Sequence, residues 1–253
     1  GYYIAASNSK GHGMHSPFVF DFIKFVKNDK TKYPVYEPIE KIRKDLLKDT
    51  VIIEVQDFGA GSTVIKANKR VIGKMAASSL KPKRLAQLLH RMVKYYKPQT
   101  IVELGTSFGI TSSYLASANN DAKLYTLEGA SSIAAIAKGN FKKLQIENVQ
   151  LIEGDFEKTL QPLLSALPTI DFAFVDGNHK KEPTLHYFEE LLKKSTDQTI
   201  LIFDDIHWSK EMEAAWAIIK ENDAVTLSID LFFIGIVFLR KDFKVKQHFA
   251  IRF

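Results

Sequence analysis

Apolar and polar positions follow two periods along most of the chain, and these periods predict helices and strands in turn. From Arg84 to Tyr96 apolar side chains recur every three or four positions, which predicts an amphipathic helix that Pro98 ends. Similar spacing predicts helices at 37–48, 131–144, 183–194 and 209–222. Short apolar runs typical of strands lie at 101–104, 123–128, 149–154, 171–176 and 199–205.

Strands separated by helices predict a parallel sheet that helices cover. The last two apolar runs, 225–231 and 232–241, follow each other with no helix between them. Parallel neighbours need a long crossover, so these two runs are expected to pair as an antiparallel hairpin. The predicted fold is an α/β, Rossmann-like sheet of seven strands with a C-terminal antiparallel hairpin and helices on both faces. Several aromatic residues near this end are expected in the core: Trp208, Trp216, Phe232, Phe233 and Phe238.

The first 82 residues have a different pattern, with scattered prolines and many aromatic side chains. We expect residues 1–82 to form an N-terminal cap on the substrate side, and residues 83–253 to form the main domain. His12 and His15 could bind a metal ion, but no third ligand lies near them in the sequence. The aromatic N-terminus also suits a homodimer contact.

Composition narrows the class of protein further. The 253 residues include no cysteine, which excludes disulfides and thiolate zinc sites. No apolar stretch approaches the roughly 20 residues that span a bilayer, so a cytoplasmic protein without a membrane partner is expected. The net charge of +6 predicts a solvated, lysine-rich surface and leaves an RNA partner as the less favoured alternative.

The segment ELGTSFG at 103–109 joins a predicted strand to a predicted helix through a tight glycine turn. Such a turn places several backbone N–H groups around one crevice, which is typical of nucleotide sites. Glu128 ends the next strand, about 20 residues beyond the glycines, where an acid binds a ribose diol. A similar pattern at 51–62 is followed by no acid-tipped strand, so it is expected to be a lid, a substrate loop or a simple turn.

The order of these and later motifs resembles that of the class I S-adenosylmethionine-dependent methyltransferases, over roughly residues 83–253. The matching segments are ELGTSFG (103–109), LEGA (127–130), EGDF (153–156), FVDGNH (174–179) and IFDDIHW (202–208). The last two most resemble the catechol and caffeoyl type of O-methyltransferase, and the chain's two ends resemble a bacterial group. A C-terminal antiparallel hairpin is also a feature of this family.

The resemblance implies a role for each residue of the cofactor site. Glu103 would anchor the methionine end of S-adenosylmethionine, while Glu128 would accept hydrogen bonds from both ribose hydroxyls. Asp155 and Phe156 would contact the adenine. The rest of the implied cofactor set is Gly105, Thr106, Ser107, Gly109, Gly129, Ala130 and Asp176.

Resemblance to the catechol type also implies a metal site. Asp176, Asp204 and Asp205 would hold Mg²⁺ or Ca²⁺, which prefer oxygen ligands. In the alternative interpretation Asp176 contacts cofactor or substrate and Asp205 caps the following helix. His179 stands where that branch commonly has a lysine, and it is a candidate general base beside Asp176. His207 is a second, less favoured candidate.

The function predicted from this resemblance is methyl transfer to a hydroxyl of a small molecule, with or without a metal ion. An RNA methyltransferase is an alternative, although VDGNH stands where base N-methylation would need an Asp-Pro-Pro-Tyr type motif. An NAD-dependent dehydrogenase is a second alternative. The loop at 105–109 has the pattern G-x-x-x-G, whereas dinucleotide-binding loops have G-x-G-x-x-G. This difference disfavours a dehydrogenase. A non-catalytic binding protein on the same fold is a third alternative.

Overall fold

The computed structural model describes residues 16–57 and 66–253. The predictions for His12, His15 and the glycine loop that follows Asp57 lie outside the described residues. In the described part of the chain, no helix combines the length and the apolar character needed to cross a membrane.

From residue 83 to residue 221 helices and strands alternate, as the two periods predict. The helices are α1 (Pro17–Asp21), which continues as a π-type segment over Phe22–Lys27, α2 (Tyr36–Lys48), α3 (Ile72–Ser79), α4 (Lys83–Tyr96), α5 (Ile110–Ala116), α6 (Ser131–Lys143), α7 (Phe156–Ala166), α8 (Lys181–Leu192) and α9 (Lys210–Glu221). The strands are β1 (Ile52–Asp57), β2 (Lys66–Val71), β3 (Thr100–Leu104), β4 (Lys123–Glu128), β5 (Val149–Glu153), β6 (Ile170–Val175), β7 (Ser195–Asp204), β8 (Leu227–Asp230), β9 (Ile234–Phe238) and β10 (Gln247–Ala250).

Eight of the strands form one sheet in the order β10-β8-β9-β7-β6-β3-β4-β5. The chain divides into two compact units, and strand β3 contributes to both. The central unit contains residues 30–99 and 103–163. The C-terminal unit contains the described residues up to Asp29, residues 100–102 and residues 164–253.

The core of the central unit is built around the end of β3 and helix α5. Tyr36 and Ile39 of α2 are buried in the same cluster as Phe108, Ile110 and Tyr114. The Tyr114 hydroxyl donates a 2.8 Å hydrogen bond to Glu40 of α2. Strands β4 and β5 pair in parallel. Helix α2 therefore shares one core with the glycine turn that precedes α5.

The C-terminal unit confirms the predicted hairpin and adds one strand to it. Strand β9 pairs antiparallel with both β7 and β8, whereas β6 and β7 are parallel. Strand β10 pairs in parallel with β8 and makes the sheet eight-stranded rather than seven-stranded. Its sequence, QHFA, follows the charged stretch 240–246, so no alternating run marks it. A separate antiparallel pair, β1 with β2, was also not predicted.

The described part of the N-terminus packs within the C-terminal unit. Ser16 caps α1 by accepting a hydrogen bond from Val19 N. The ring of Phe18 lies 4.9 Å from Phe238 and 5.4 Å from Phe243, between ring centroids, in edge-to-face geometry. These contacts join the first described helix to the end of the chain.

Candidate functional site

The glycine turn after β3 has the unusual backbone that its sequence requires. Gly105, Ser107 and Gly109 all have positive φ, at 103°, 49° and 78°. The N–H groups of Gly105 and Thr106 both donate to Leu127 O at 3.0 Å. The turn is thereby joined to the end of β4, and helix α5 begins directly after it.

Gly109 also lies where no side chain fits. A Cβ atom there would be 2.7 Å from the Phe141 ring and 3.2 Å from Ala137 Cβ. We expect Gly109→Ala to lower the free energy of unfolding by about 2–4 kcal/mol, from left-handed backbone strain and overpacking together. Chemical denaturation measures this difference.

Gly139 of α6 provides a matched control, because a Cβ atom there meets nothing within 4 Å. Gly139→Ala should be neutral or stabilise the protein by about 0.5–1 kcal/mol. Equal losses of stability in the two variants would contradict the assigned crowding at Gly109.

Glu128, the last residue of β4, is hydrogen-bonded both to the glycine turn and to the residue before α6. One carboxylate oxygen accepts a hydrogen bond from Ser107 N at 2.8 Å, and the other accepts one from Ala130 N at 2.9 Å. Burial raises the pKa of Glu128, and the N–H groups of Ala130, Ser107 and Gly129 oppose that rise. Each carboxylate oxygen has a second lone pair, so each can still accept a hydrogen bond from a hydroxyl group.

Glu103 lies fully buried beneath the turn. One of its oxygens accepts hydrogen bonds from the hydroxyls of Ser112 and, at 2.6 Å, Thr126. Its other oxygen, Oε1, is buried and has no hydrogen-bond partner. Burial raises the pKa of Glu103 from 4.5 to about 7. A buried oxygen without a partner costs free energy, and a cationic donor from a ligand would remove that cost.

The segment after β5 is hydrogen-bonded to the end of β4. Gly154 N donates to Glu128 O at 2.9 Å, which places the segment beside Glu128. Asp155 Oδ1 accepts a 3.2 Å hydrogen bond from Glu157 N at the start of α7. Phe156 is the first residue of α7 and is half-buried. The resemblance expects both side chains to contact adenine, and Asp155 also stabilises the start of the helix.

Three polar contacts around the turn were not predicted from the sequence. Ser79, at the end of α3, has its hydroxyl 3.1 Å from the Ser107 hydroxyl. Asn140 of α6 donates to Phe108 O at 2.9 Å, and Thr106 Oγ1 lies 2.6 Å from Thr126 Oγ1. Serine, threonine and asparagine are common throughout the sequence, so residue type alone does not indicate these partners.

A second polar cluster lies in the C-terminal unit, at the ends of β6 and β7. Ligand atoms of Asp176, His179 and Asp204 all lie within 4.8 Å of one another. His179 Nε2 is 3.5 Å from Asp176 Oδ1 and 3.8 Å from Asp205 Oδ2. Asp204 is buried, whereas the other three side chains are partly exposed. The cluster thus brings together two of the three predicted metal-binding carboxylates, Asp176 and Asp204, with the predicted base, and Asp205 lies beside that base only.

The turn after β7 corrects one interpretation, that Asp205 caps the following helix. Ser209, rather than Asp205, caps α9, because its hydroxyl oxygen accepts the hydrogen bond from Met212 N. Asp205 instead has φ of 53°, and its N–H donates to Phe233 O at 2.7 Å. His207 is held between two acids, Asp230 at 2.8 Å and Glu213 at 3.3 Å.

The expectation that all the C-terminal aromatic residues are buried is wrong for two of them. Trp216 and Phe238 are in the core, with 4% and 2% exposure, whereas Trp208 is 73% and Phe233 45% exposed. Both exposed residues lie in the turns that follow β7 and β8, outside the strand pattern. Burial in this sheet therefore follows the strands and helices rather than aromatic character.

The donor set of the second cluster fits a divalent cation. Asp176 and Asp204 offer carboxylate oxygens and His179 offers an imidazole nitrogen. Carboxylates alone would suit Mg²⁺ or Ca²⁺, whereas an imidazole ligand favours ions such as Mn²⁺ or Zn²⁺. Without an ion, the same geometry is that of a histidine flanked by carboxylates.

Comparison with known proteins agrees with this fold. Residues 102–206 match the model of a family described as Methyltransferase domain. No match was found among curated protein sequences. SAH-bound methyltransferase PaMTH1 from Podospora anserina is 15% identical, with a TM-score of 0.62, over 90% of this chain and 98% of that one.

Two further solved structures have the same fold. The O-methyltransferase from Bacillus cereus in complex with SAH is 19% identical, with a TM-score of 0.59, over 85% of this chain and 95% of that one. The O-methyltransferase TomG from Streptomyces achromogenes, in complex with SAM and involved in tomaymycin synthesis, is 20% identical, with a TM-score of 0.56. That match covers 64% of this chain and 82% of TomG.

Fold and family match together define the class of protein. Residues 102–206 match a methyltransferase domain, and the sheet has the Rossmann-like fold that the motifs predicted. The matched segment includes the glycine turn, Glu128 and the acids at the ends of β6 and β7.

Proposed function

We propose that the protein transfers the methyl group of S-adenosylmethionine to a hydroxyl of a small molecule. The observation that carries this proposal is the pair of glutamates around the glycine turn. Glu128 is oriented by two backbone N–H groups with lone pairs left for a ribose diol. Glu103 presents a buried oxygen without a partner. Two separate acidic contacts suit a ligand that has both a ribose and an ammonium group.

Glu103 and Glu128 therefore fit S-adenosylmethionine as a ligand. Its α-ammonium group would supply the missing donor to Glu103 Oε1. Gly105 would allow the backbone to come close to the ligand, since it has no side chain in the way. When bound, the cofactor supplies a methyl group on a positively charged sulfur, which is an excellent leaving group.

The second cluster supplies what the acceptor hydroxyl needs, which is removal of its proton. We assign the general base to His179, because Asp176 and Asp205 lie within 4 Å of its Nε2 and would stabilise the imidazolium that forms. In the alternative with a metal ion, Asp176, His179 and Asp204 would hold the ion, which would lower the pKa of the hydroxyl in place of a histidine base. Residues 1–82 are proposed to cover the acceptor side, as expected from their sequence.

The test is an assay of radioactive methyl transfer to a panel of small hydroxyl acceptors that includes catechols. His179→Ala should lower kcat by about 10²- to 10⁴-fold, the usual contribution of a general base, with little change in KM for S-adenosylmethionine. His186→Ala is the control, because His186 is an exposed residue of α8 outside the cluster. Activity that EDTA abolishes and Mn²⁺ or Mg²⁺ restores would assign the cluster to a metal ion.

Other outcomes would overturn the proposal. Full activity of His179→Ala would show that His179 is not the general base. Transfer to RNA alone, weakening steeply with added salt, would replace the small-molecule acceptor by the nucleic acid that the net charge of +6 left as an alternative.

A further inference from the structure

The carboxylate of Asp230, the last residue of β8, makes hydrogen bonds in two different directions. Its Oδ1 accepts from Phe232 N at 2.8 Å and closes the turn between β8 and β9. Its Oδ2 lies 2.8 Å from His207 Nε2, in the turn that follows β7. The Asp230 side chain is only 17% exposed and that of His207 23%, so this contact is largely shielded from solvent. Closing the hairpin turn requires only the first of the two bonds.

Two further contacts join the same pair of turns. Asp205 N donates to Phe233 O at 2.7 Å. The ring of His207 stacks on that of Phe232, with 5.4 Å between centroids and a 20° interplanar angle. Asp205 and Phe232 both have left-handed backbones, at φ of 53° and 73°. Such conformations are unfavourable for residues with a side chain and persist where surrounding contacts hold them.

The turn held in this way is the one that presents carboxylates to the second cluster. Asp204 belongs to the cluster, and Asp205 Oδ2 is 3.8 Å from His179 Nε2. A turn free to relax from φ of 53° would carry the Asp205 carboxylate away from the imidazole. The contact between Asp230 and His207 therefore acts on the cluster from outside it.

We propose that Asp230 is a positioning residue, which acts through His207 to hold the turn 205–208 so that Asp204 and Asp205 keep their places beside His179. The catalytic role of Asp230 rests on the proposed function, whereas the contact between the two turns does not depend on that function. Asp230 would touch neither cofactor nor acceptor.

Asp230→Ser separates the two bonds of Asp230. A serine hydroxyl can still accept from the N–H two residues on, but it is too short to reach His207. His207→Ala removes the imidazole, and His207→Gln restores an N–H donor towards Asp230. Glu213→Gln is the matched control, because Glu213 makes the longer, 3.3 Å contact to His207 and its side chain is 56% exposed.

Two measurements on the full chain test the proposal. Hydrogen exchange should become faster in residues 204–208 of Asp230→Ser and His207→Ala, with exchange in the rest of the sheet and the affinity for S-adenosylhomocysteine unchanged. The kcat for methyl transfer should fall roughly 10- to 100-fold in both variants, as it does when groups that orient a site are removed. His207→Gln should recover part of that loss, and Glu213→Gln should stay within about twofold of the unaltered protein.

Unchanged exchange at 204–208 in Asp230→Ser would overturn the positioning role, as would a kcat loss that His207→Gln does not reduce. If the unaltered protein transfers a methyl group to no acceptor, the proposed function fails. The exchange measurement then still decides whether Asp230 holds the turn.

Discussion

Glu128→Ala should weaken the binding of S-adenosylhomocysteine by at least about 100-fold. Hydrogen bonds to a charged acceptor contribute about 1.5–3 kcal/mol each, and a ribose diol would make two with Glu128. The carboxylate is already held in place by Ser107 N and Ala130 N, so little ordering is needed when the ligand binds. The substitution also leaves both N–H groups without their acceptor. Isothermal titration calorimetry measures the change directly.

Glu147→Ala is the control for the loss of a negative charge in the central unit. Glu147 is exposed and lies in the loop before β5, away from the glycine turn. Its substitution should change the dissociation constant by less than about twofold. Equal weakening in the two variants would indicate a general effect of charge. An unchanged dissociation constant in Glu128→Ala would show that Glu128 does not bind the ribose.

Glu103 should make both stability and cofactor binding depend on pH. Burial raises its folded-state pKa to about 7, above the unfolded value of 4.5. Between these two pH values the folded state keeps a proton that the unfolded state releases, so stability falls as the pH rises. The contribution is on the order of 3 kcal/mol across the whole interval, since one pKa unit corresponds to about 1.4 kcal/mol. Glu103→Gln should flatten the slope of unfolding free energy between pH 5 and pH 7.

The same carboxyl group should release a proton when the cofactor binds. A cationic ammonium beside Oε1 favours the ionised form, so affinity should rise as the pH increases towards and beyond 7. Calorimetry in buffers of different ionisation enthalpy should detect release of up to about one proton at pH 6 and almost none at pH 8.5. Glu103→Gln should bind more weakly and release no proton from this position. Identical proton release in this variant would place the ammonium group elsewhere.

Most of the fold was predictable because the chain's local patterns agree with its tertiary structure. The strand ends at Leu104 and Glu128, the hairpin of β8 and β9, and the serine cap of α9 all follow from spacing and residue type. Strand β10 was not predicted, because a four-residue segment pairs through distant neighbours rather than through its own pattern.

The candidate site was predictable as a set of residues but not as a geometry. Glu103 could be selected from its place before the glycines, but its orphaned oxygen depends on where the Ser112 and Thr126 hydroxyls lie. Asp205 was selected beside Asp204. The left-handed turn that directs it towards His179 is fixed by Phe233, which is 28 positions further along the chain. Contacts between residues so far apart in the chain depend on the tertiary structure, and the periodicity of a single sequence does not predict them.

The central claim, a cofactor site around the glycine turn, is tested most directly by a crystal structure of the protein with S-adenosylhomocysteine. Both ribose hydroxyls should lie within hydrogen-bond distance of the Glu128 carboxylate, and the α-amino group should lie against Glu103 Oε1. Density for the ligand at another place, or a ribose that contacts neither oxygen of Glu128, would contradict that claim.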